Sequence, residues 1–281
     1  MNAEKPVLTD DEVVAALGHE PVLQRNFSFI SLLGLTFAIL NTWTALSVSM
    51  SLALPSGGPS AVIWGLVVSG VGNLALALSM AEFLSAFPTA GGQYHWAAIV
   101  APPRLKRICS WTTGWINMGG WIALAASGGL LSSELIVGLI ALFHPGYNPQ
   151  RWHQFLIYIA YNVLGFVVNA VATSLLPYTN QASLVWSLTG FAVISITLLS
   201  THKVDFARAR WVFGNVLNQT GWPDGIAWLL GLLQGSFSLT AYDAVTHMIE
   251  EIPNATVQGP RIMVGSVLIG TVSYTHLTLP T

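Results

Sequence analysis

Long stretches without a charged side chain constrain this sequence more than any other feature. No Asp, Glu, Lys or Arg occurs between Arg25 and Glu82, or between Arg151 and Lys203. The second stretch, residues 152–202, has room for two helices of about 20 residues and a tight turn, and about 20 residues are what a helix needs to cross a bilayer. A soluble helix would need a polar face, which these stretches lack. The pattern predicts an all-α, polytopic transmembrane helical protein.

Composition excludes several classes of function. Charged residues make up 8% of the chain, against roughly 25% in an ordinary soluble domain. The net charge of −2 and the lack of a basic run argue against a nucleic-acid partner. The single cysteine, Cys109, excludes an internal disulfide and a cysteine metal site. His247, Glu250 and Glu251 have a spacing that could present metal ligands on one helix face, but a solvated helix end is the better interpretation. We therefore expect no metal and no cofactor.

Apolar runs and turn residues predict six full spans and the start of a seventh. The spans cover residues 29–54, 61–87, 110–143, 152–176, 182–200 and 225–249, and the seventh begins near residue 262. Basic residues at 104–107, close to span ends, favour a cytoplasmic N-terminus. This gives a cytoplasmic tail at residues 1–25, a partial transmembrane domain at 26–272, and a polar segment at 273–281 that is similar to non-native read-through. We expect helical structure to end near residue 272.

The first and sixth spans share an unusual interruption. Residues 40–47 and residues 235–243 place several Ser, Thr and Asn side chains at membrane depth. Lipid offers no partner to a freed backbone group, so such a break survives only inside protein or beside a water-filled cavity. Small polar residues also occur at ordinary helix contacts. A matched pair of interrupted spans nevertheless points to a transporter built from inverted repeats, with its site at the interruptions.

Two acidic residues fall within predicted spans. An acid at membrane depth is costly and usually faces a cavity or a partner. Glu134 lies in the third span with no basic residue in any span to pair with it, which implies hydration or protonation. Asp243 ends the interrupted part of the sixth span and could instead help to terminate the helix. Both are candidates for coupling or gating.

Two motifs carry a family resemblance. The segments Ala81-Glu-Phe-Leu-Ser-Ala-Phe-Pro-Thr-Ala-Gly-Gly-Gln-Tyr-His-Trp96 and Tyr242-Asp-Ala-Val-Thr-His-Met-Ile-Glu-Glu-Ile-Pro-Asn-Ala255 resemble the second-to-third-span connection and the sixth-span exit of amino acid–polyamine–organocation permeases. Two short segments, Tyr178-Thr-Asn180 and Thr220-Gly-Trp222, resemble the fungal branch that carries amino acids, GABA or choline. The family-motif residues with structural roles would be Glu82, Pro88, Gly91, Gly92, Tyr94, Glu250 and Glu251.

The resemblance implies a fold and a site. It implies the N-terminal half of a five-plus-five inverted-repeat (LeuT-like) fold, with substrate held by the broken first and sixth spans. The substrate-binding residues would be Asn41, Thr42, Trp43, Thr44, Ala45, Ser238, Leu239, Thr240, Ala241 and Tyr242. Many members have a glycine-rich break in the first span where this chain has Asn41-Thr-Trp-Thr44. The way in which a substrate carboxylate would bind therefore stays open.

The function implied is secondary active transport of amino acids or related small amines, coupled to protons, by alternating access between the broken spans. The partners would be a small-molecule substrate (an amino acid, GABA, choline or a polyamine), a coupling proton and the lipid bilayer. The alternatives are a choline or polyamine permease, for which Trp43, Phe237 and Tyr242 could form an aromatic cage, and a non-transporting nutrient sensor. The spans lack the paired groups that an intramembrane enzyme needs. The plasma membrane is the expected location, with the vacuolar membrane as the alternative.

The resemblance also implies that the chain is a C-terminally truncated fragment, because permeases of this family usually have about twice as many spans. The sixth span would then lack the repeat partners that enclose it. We expect the chain of 281 residues to carry out no transport alone.

Overall fold

A computed structural model describes residues 10–16, 18, 27–40, 42–201 and 208–278 of the chain. The chain divides into two compact units, the first comprising residues 1–92 and 177–281 and the second comprising residues 93–176. The helices are α1 Asp10–Ala16, α2 Phe29–Leu40, α3 Thr42–Ala53, α4 Gly58–Ala86, α5 Gly92–Val100, α6 Lys106–Phe143, α7 Arg151–Val171, α8 Leu176–Thr201, α9 Ala209–Gly214, α10 Asp224–Phe237, α11 Ala244–His247 and α12 Ala255–Thr278. Short 3-10 turns occur at Thr173–Leu175 and Ile249–Glu251.

The helices expose large apolar surfaces. Among the described residues, four helical stretches are long and apolar enough to cross a membrane: Gly58–Ala86, Lys106–Phe143, Arg151–Val171 and Thr173–Thr201. Trp111, Phe166 and Trp186 are 68%, 73% and 82% exposed. Soluble monomers rarely expose contiguous apolar patches of more than several hundred Å². The prediction of an all-α polytopic membrane protein is confirmed.

The central helix of the first unit is α4, which packs against both α10 and α12. It begins where Gly57 adopts a φ of +107°, a value that glycine tolerates and other residues resist. Pro59 then occupies one of the first helical positions, where its missing N–H costs nothing. Leu84 of α4 and Ile262 and Met263 of α12 are fully buried. This layer of large side chains forms one part of the core.

Glycines bring α4 and α10 into backbone contact. A Cβ on Gly235 would overlap the carbonyl group of Gly65, and a Cβ on Gly231 would overlap the carbonyl oxygen of Ser56. A Cβ on Gly65 would lie 3.0 Å from the Cα of Leu232. Small residues four positions apart allow transmembrane helices to approach in this way, and the contact is held by van der Waals attraction. The position of α10 against α4 is therefore fixed closely.

The starts of α4 and α10 are also tied by the loops that precede them. The N–H of Gly57 donates to the carbonyl oxygen of Leu217 at 2.7 Å, and the N–H of Gln219 donates to that of Pro55 at 2.8 Å. The Ser56 hydroxyl reaches into α10 and donates to a carbonyl oxygen there at 2.8 Å. Hydrogen bonds and glycine packing together hold the first part of the sixth span.

The first and sixth spans run antiparallel. Helix α10 packs against α3, whereas α11 packs against α2. The first span was predicted to be interrupted over residues 40–47, but residues 42–47 form the start of the helix α3, because their small polar side chains do not prevent a helix. Asn41, between α2 and α3, lies outside the described residues. The junction between α2 and α3 therefore lies opposite the connection between α10 and α11.

The second unit is built around the packing of α6 against α7. The two helices come closest at Gly129, where a Cβ would lie 2.6 Å from Nδ2 of Asn162 and 3.1 Å from Cε2 of Tyr158. The Asn162 amide donates to the Tyr158 carbonyl oxygen at 2.8 Å, which satisfies this polar group within its own helix. Most other large side chains of the unit face outwards.

The predicted helix boundaries need three corrections. Helix α12 begins at Ala255 rather than near residue 262, because the turn at Asn254, with a φ of +57°, starts the helix ahead of Pro260. The prediction that helical structure ends near residue 272 is wrong: α12 continues to Thr278, and residues 273–278 contain no Gly or Pro that would stop it. Helices α5 and α9 occupy segments that the sequence suggested were loops.

Candidate functional site

The sixth span is interrupted where the sequence predicts a break. Helix α10 ends at Phe237, and α11 begins only at Ala244. Between them, Ala241 adopts a left-handed φ of +70°, a conformation that costs an L-residue roughly 1–2 kcal/mol. Two hydroxyl groups bond to the end of α10, since Ser238 Oγ donates to the Gln234 carbonyl oxygen at 3.2 Å and Thr240 Oγ1 donates to that of Phe237 at 3.0 Å. Such side chains compete with the helical ladder and favour its end at this point.

The break leaves backbone donors without partners. Within the part of the chain that the structure describes, the N–H groups of Thr240, Ala241 and Tyr242 donate no hydrogen bond. The next contacts of the main chain are a bond of 3.2 Å from the Ala244 N–H to the Ala241 carbonyl oxygen, and one from the Thr246 N–H to Asp243. An unpaired backbone group in an apolar environment costs about as much as a lost hydrogen bond. Three successive donors are thus available to a ligand.

Packing places the break against the first span. Leu239 is fully buried in a cluster with Ala53 of α3 and with Val62 and Leu66 of α4. The half-buried side chains that surround the cluster are Trp43, Met50 and Phe191. Because α10 lies on α3 and α11 lies on α2, residues 238–243 face the region of the first span where substrate contacts are predicted. The break in the sixth span therefore lies beside the first span.

The predicted residues of the first span lie on α3, as far as the structure describes them. Asn41 and the side chain of Thr42 lie outside the described residues. Trp43, Thr44 and Ala45 are half-buried. The Trp43 Nε1–H donates to Ser187 Oγ at 2.9 Å, and the indole lies against Gly190, both on α8. This contact gives Trp43 a packing role, and its part in an aromatic cage stays a prediction.

The predicted residues of the sixth span differ in exposure. Ser238, Leu239 and Tyr242 are buried, Ala241 is half-buried and Thr240 is exposed. The cage candidate Phe237 is 39% exposed at the end of α10. The residues at the break thus present both buried and accessible groups, although a role in substrate binding remains a prediction for each of them.

The two family motifs meet at Ala90, which a sequence pattern alone does not reveal. The Ala90 N–H donates to Oε1 of Glu250 at 2.8 Å. The Ala90 carbonyl oxygen lies 3.3 Å from Nδ1 of His247. Gly92 has a φ of +47°, and a Cβ there would lie only 2.6 Å from Cγ2 of Thr246. We call residues 88–92 the connecting loop; it is attached to the segment that follows the break.

We expect Glu250→Ala to release the connecting loop. The bond from the Ala90 N–H to a carboxylate is of the charge-assisted kind, but Glu250 is partly solvated, so its loss is expected to cost about 1 kcal/mol. Glu250→Gln keeps an acceptor at the same place and is the matched control. Hydrogen exchange measured by mass spectrometry should show faster exchange of peptides covering residues 88–92 in Glu250→Ala only. Protection of these peptides in Glu250→Ala equal to that in the parent protein would contradict a role for the Glu250 side chain.

The remaining family-motif residues differ in burial and in the elements on which they lie. Pro88 is buried and Gly91 is half-buried in the connecting loop, whereas Tyr94 is exposed on α5. Glu82 is exposed and lines an open groove between α4 and α12 that also contains Arg261. Glu251 lies at the exit of the sixth span, where burial raises the pKa of its carboxyl group.

The two acids within the predicted spans have neighbours that the sequence does not suggest. Asp243 Oδ2 lies 3.9 Å from Nε2 of His247, one helical turn further along the chain. Glu134 is exposed on α6 of the second unit, and its Oε1 accepts a hydrogen bond of 3.4 Å from Gln154 of α7. The described neighbour of Glu134 is thus an amide side chain and not a basic one. His247 was expected to be solvated, but it is half-buried against Ala90.

Sequence reasoning missed two further features beside the break. The glycines Gly231 and Gly235 define the α10 contact, and their spacing of four residues in an apolar segment is a recognisable signal. Ser69 and Ser236 hydroxyls lie 2.9 Å apart between α4 and α10. Nothing in the sequence could have paired these two residues, because 167 positions separate them.

The fold and the interrupted span define the class of the protein: it is an all-α integral membrane protein in which one span is interrupted. Comparison with known proteins then shows the family. The family described as "Amino acid permease" matches residues 27–279, and the chain belongs to that family. The resemblance that the two motifs suggested is confirmed.

Named relatives come from fungi and plants. A protein of Macrophomina phaseolina, provisionally named an amino acid/polyamine transporter, is 37% identical over 85% of this chain and 52% of its own length. The choline transporter of Saccharomyces cerevisiae is 34% identical over 94% of this chain and 47% of its own length. An amino-acid permease of Arabidopsis thaliana is 31% identical over 93% of this chain and 52% of its own length. The chain spans about half the length of these relatives. No solved structure matches it.

Proposed function

We propose that this chain supplies the substrate site of a secondary transporter for amino acids or related small amines. The observation that carries the proposal is the run of unpaired N–H groups at Thr240, Ala241 and Tyr242, at an interruption that faces the first span. Backbone donors at a broken transmembrane helix suit a substrate carboxylate, and the free carbonyl groups nearby suit an ammonium group. Transport would proceed by alternating access around this site, in the plasma membrane.

Coupling to protons is part of the proposal. Asp243 follows the unpaired donors directly and has a histidine as its neighbour. An acid beside a histidine within a membrane segment is the kind of arrangement that proton relays use. Glu134 is a second candidate on a separate unit, where its contact is an amide rather than a base.

The names of the relatives support a transporter and leave the substrate open. One is named for amino acids and polyamines, and another for choline. Choline has no carboxylate, so it would not use the unpaired donors and would need the aromatic faces of Trp43, Phe237 or Tyr242. A carboxylate-bearing substrate therefore agrees better with the geometry of the break, and choline is the alternative that its relative favours.

Uptake of labelled compounds tests the proposal. The complete product of the gene would be expressed in cells that lack their own uptake of alanine, GABA, choline and putrescine. We expect saturable uptake of at least one carboxylate-bearing compound, faster at acidic external pH and abolished by a protonophore.

The other outcomes discriminate among the alternatives. Uptake of choline alone would overturn the carboxylate site in favour of the choline alternative. Binding of a compound to the purified protein without uptake would favour a nutrient sensor over a transporter. If no compound in the panel is bound or taken up, the transporter proposal and the sensor alternative are both contradicted.

A further inference from the structure

The groove between α4 and α12 has both charged and apolar walls. Its volume is about 560 Å³, within the range of about 300–1,000 Å³ that ligand sites usually occupy. Its charged side chains, Glu82 and Arg261, are both exposed. Its apolar walls include Leu78 and Leu268, which are 50% and 46% exposed. The described part of the chain therefore leaves this groove open.

The two helices run antiparallel along the groove, so its charged and apolar parts lie at different depths. Near the end of α4, a Cβ on Gly259 would lie 3.0 Å from Cδ2 of Leu84. Further into both helices, a Cβ on Gly70 would lie 3.0 Å from Cγ2 of Thr271. The charged side chains accordingly share the end where α4 stops and α12 begins, and the two leucines lie deeper. A membrane phospholipid has the same order, with its headgroup at the interface and its acyl chains in the hydrocarbon core.

The two charged side chains of the groove are available to a ligand. Among the described residues, neither Glu82 nor Arg261 makes a hydrogen bond or an ion pair, with each other or with a third group. The planar guanidinium group of arginine matches a phosphate with two parallel hydrogen bonds. A carboxylate attracts an ammonium group in its turn. A ligand that carries a phosphate and an ammonium group would therefore complement both side chains.

We propose that this groove binds one zwitterionic phospholipid of the bilayer. The headgroup phosphate contacts Arg261, the headgroup ammonium contacts Glu82, and an acyl chain lies along Leu78 and Leu268. A small soluble zwitterion would match the charges but would leave the apolar walls uncovered. An anionic phospholipid would be attracted by Arg261 and repelled by Glu82, so the pair of opposite charges selects the zwitterionic headgroup. This inference does not depend on the proposed transport function.

Lipid binding to the purified protein tests the proposal. The complete product of the gene would be delipidated in detergent and titrated with phosphatidylethanolamine or phosphatidylglycerol of identical acyl chains, and native mass spectrometry would count the bound lipid. We expect phosphatidylethanolamine to bind at least about fivefold more tightly, because phosphatidylglycerol lacks the ammonium group and a partly solvated ionic contact contributes up to about this factor. Glu82→Gln should reduce the difference between the two lipids to less than about twofold. Arg261→Gln should weaken the binding of both lipids by about fivefold.

Filling the groove provides a second comparison that leaves its charges in place. Gly265 lines the groove, and a Cβ there would meet open space. Gly265→Leu therefore puts a side chain where the acyl chain would lie, without a clash inside the protein. Gly72→Leu is the matched control, because a Cβ at Gly72 of α4 also meets open space and this residue does not line the groove. We expect only Gly265→Leu to weaken the binding of phosphatidylethanolamine, by at least about fivefold.

Three outcomes would overturn the proposal. Equal binding of the two lipids by the parent protein, or tighter binding of phosphatidylglycerol, would contradict a zwitterionic ligand. Equal lipid binding by the Gly265→Leu and Gly72→Leu variants would place the lipid outside the groove. A parent protein that binds neither lipid would show that something else, such as another part of the complete protein, occupies the groove. Because none of these measurements needs a transported substrate, the lipid site can fail while transport is observed, and the reverse.

Discussion

Gly235→Val is expected to separate α10 from α4 and to leave little folded protein. A Cβ at this position would lie 2.5 Å from the carbonyl carbon of Gly65 and 2.9 Å from the backbone nitrogen of Leu66. Backbone atoms in the middle of a helix cannot rotate away as the end of a side chain can. Overpacking usually costs about 1–3 kcal/mol, and we expect at least the upper figure here.

The measurement is the fraction of monodisperse protein after extraction in mild detergent, followed through a fluorescent tag on size-exclusion chromatography. Gly225→Val is the matched control, because it lies on the same helix and has open space around it. Valine has a slightly higher helix propensity than glycine, so this variant should fold with an undiminished yield. Equal yields for the two variants would show that the close approach of α4 and α10 is not needed for folding.

Ala241→Pro is expected to abolish substrate binding. Proline removes the middle one of the three unpaired N–H groups and fixes φ near −65°, whereas Ala241 has a φ of +70°. Loss of a donor to a charged ligand group costs about 1.5–3 kcal/mol, and the forced change of backbone would displace the two neighbouring donors as well. We therefore expect affinity to fall by about a hundredfold or more.

Ala241→Gly is the control for this experiment. Glycine keeps the N–H and adopts a positive φ without strain, so binding should stay within a few-fold of the parent protein. Binding would be measured on purified protein by isothermal titration with the compound that uptake identifies, after size-exclusion chromatography has shown that each variant is folded. Folded Ala241→Pro protein with unchanged affinity would place the substrate elsewhere.

The interruption of the sixth span could be predicted because its cause is local. Serine and threonine hydroxyls at 238 and 240 bond to the end of α10, and such residue types are visible in the sequence. The left-handed turn could not be assigned to Ala241, because alanine carries no preference for a positive φ that would mark the position. The residue types at the break thus predicted its position in the sequence but not the backbone conformation of the residues within it.

Contacts between distant segments were beyond sequence reasoning. Ala90 and Glu250 are separated by 160 positions, and neither motif specifies a partner. The same holds for Trp43 and Ser187. The extension of α12 was missed for another reason, since polar residues at 273–278 weaken an apolar periodicity without preventing a helix. Composition therefore predicted where the long apolar helices lie better than where each helix ends.

The glycine contact of α10 has a mechanical consequence for the segment beyond it. Backbone packing against α4 is short-ranged and is lost as a whole once the helices part, so we expect α10 to move together with α4. The part that follows Asp243 is joined to the connecting loop by hydrogen bonds at Ala90, and water can replace these one at a time. We therefore expect residues 238–243 to act as a hinge between α10, which is held firmly against α4, and the segment after Asp243, whose contacts with the connecting loop can be released.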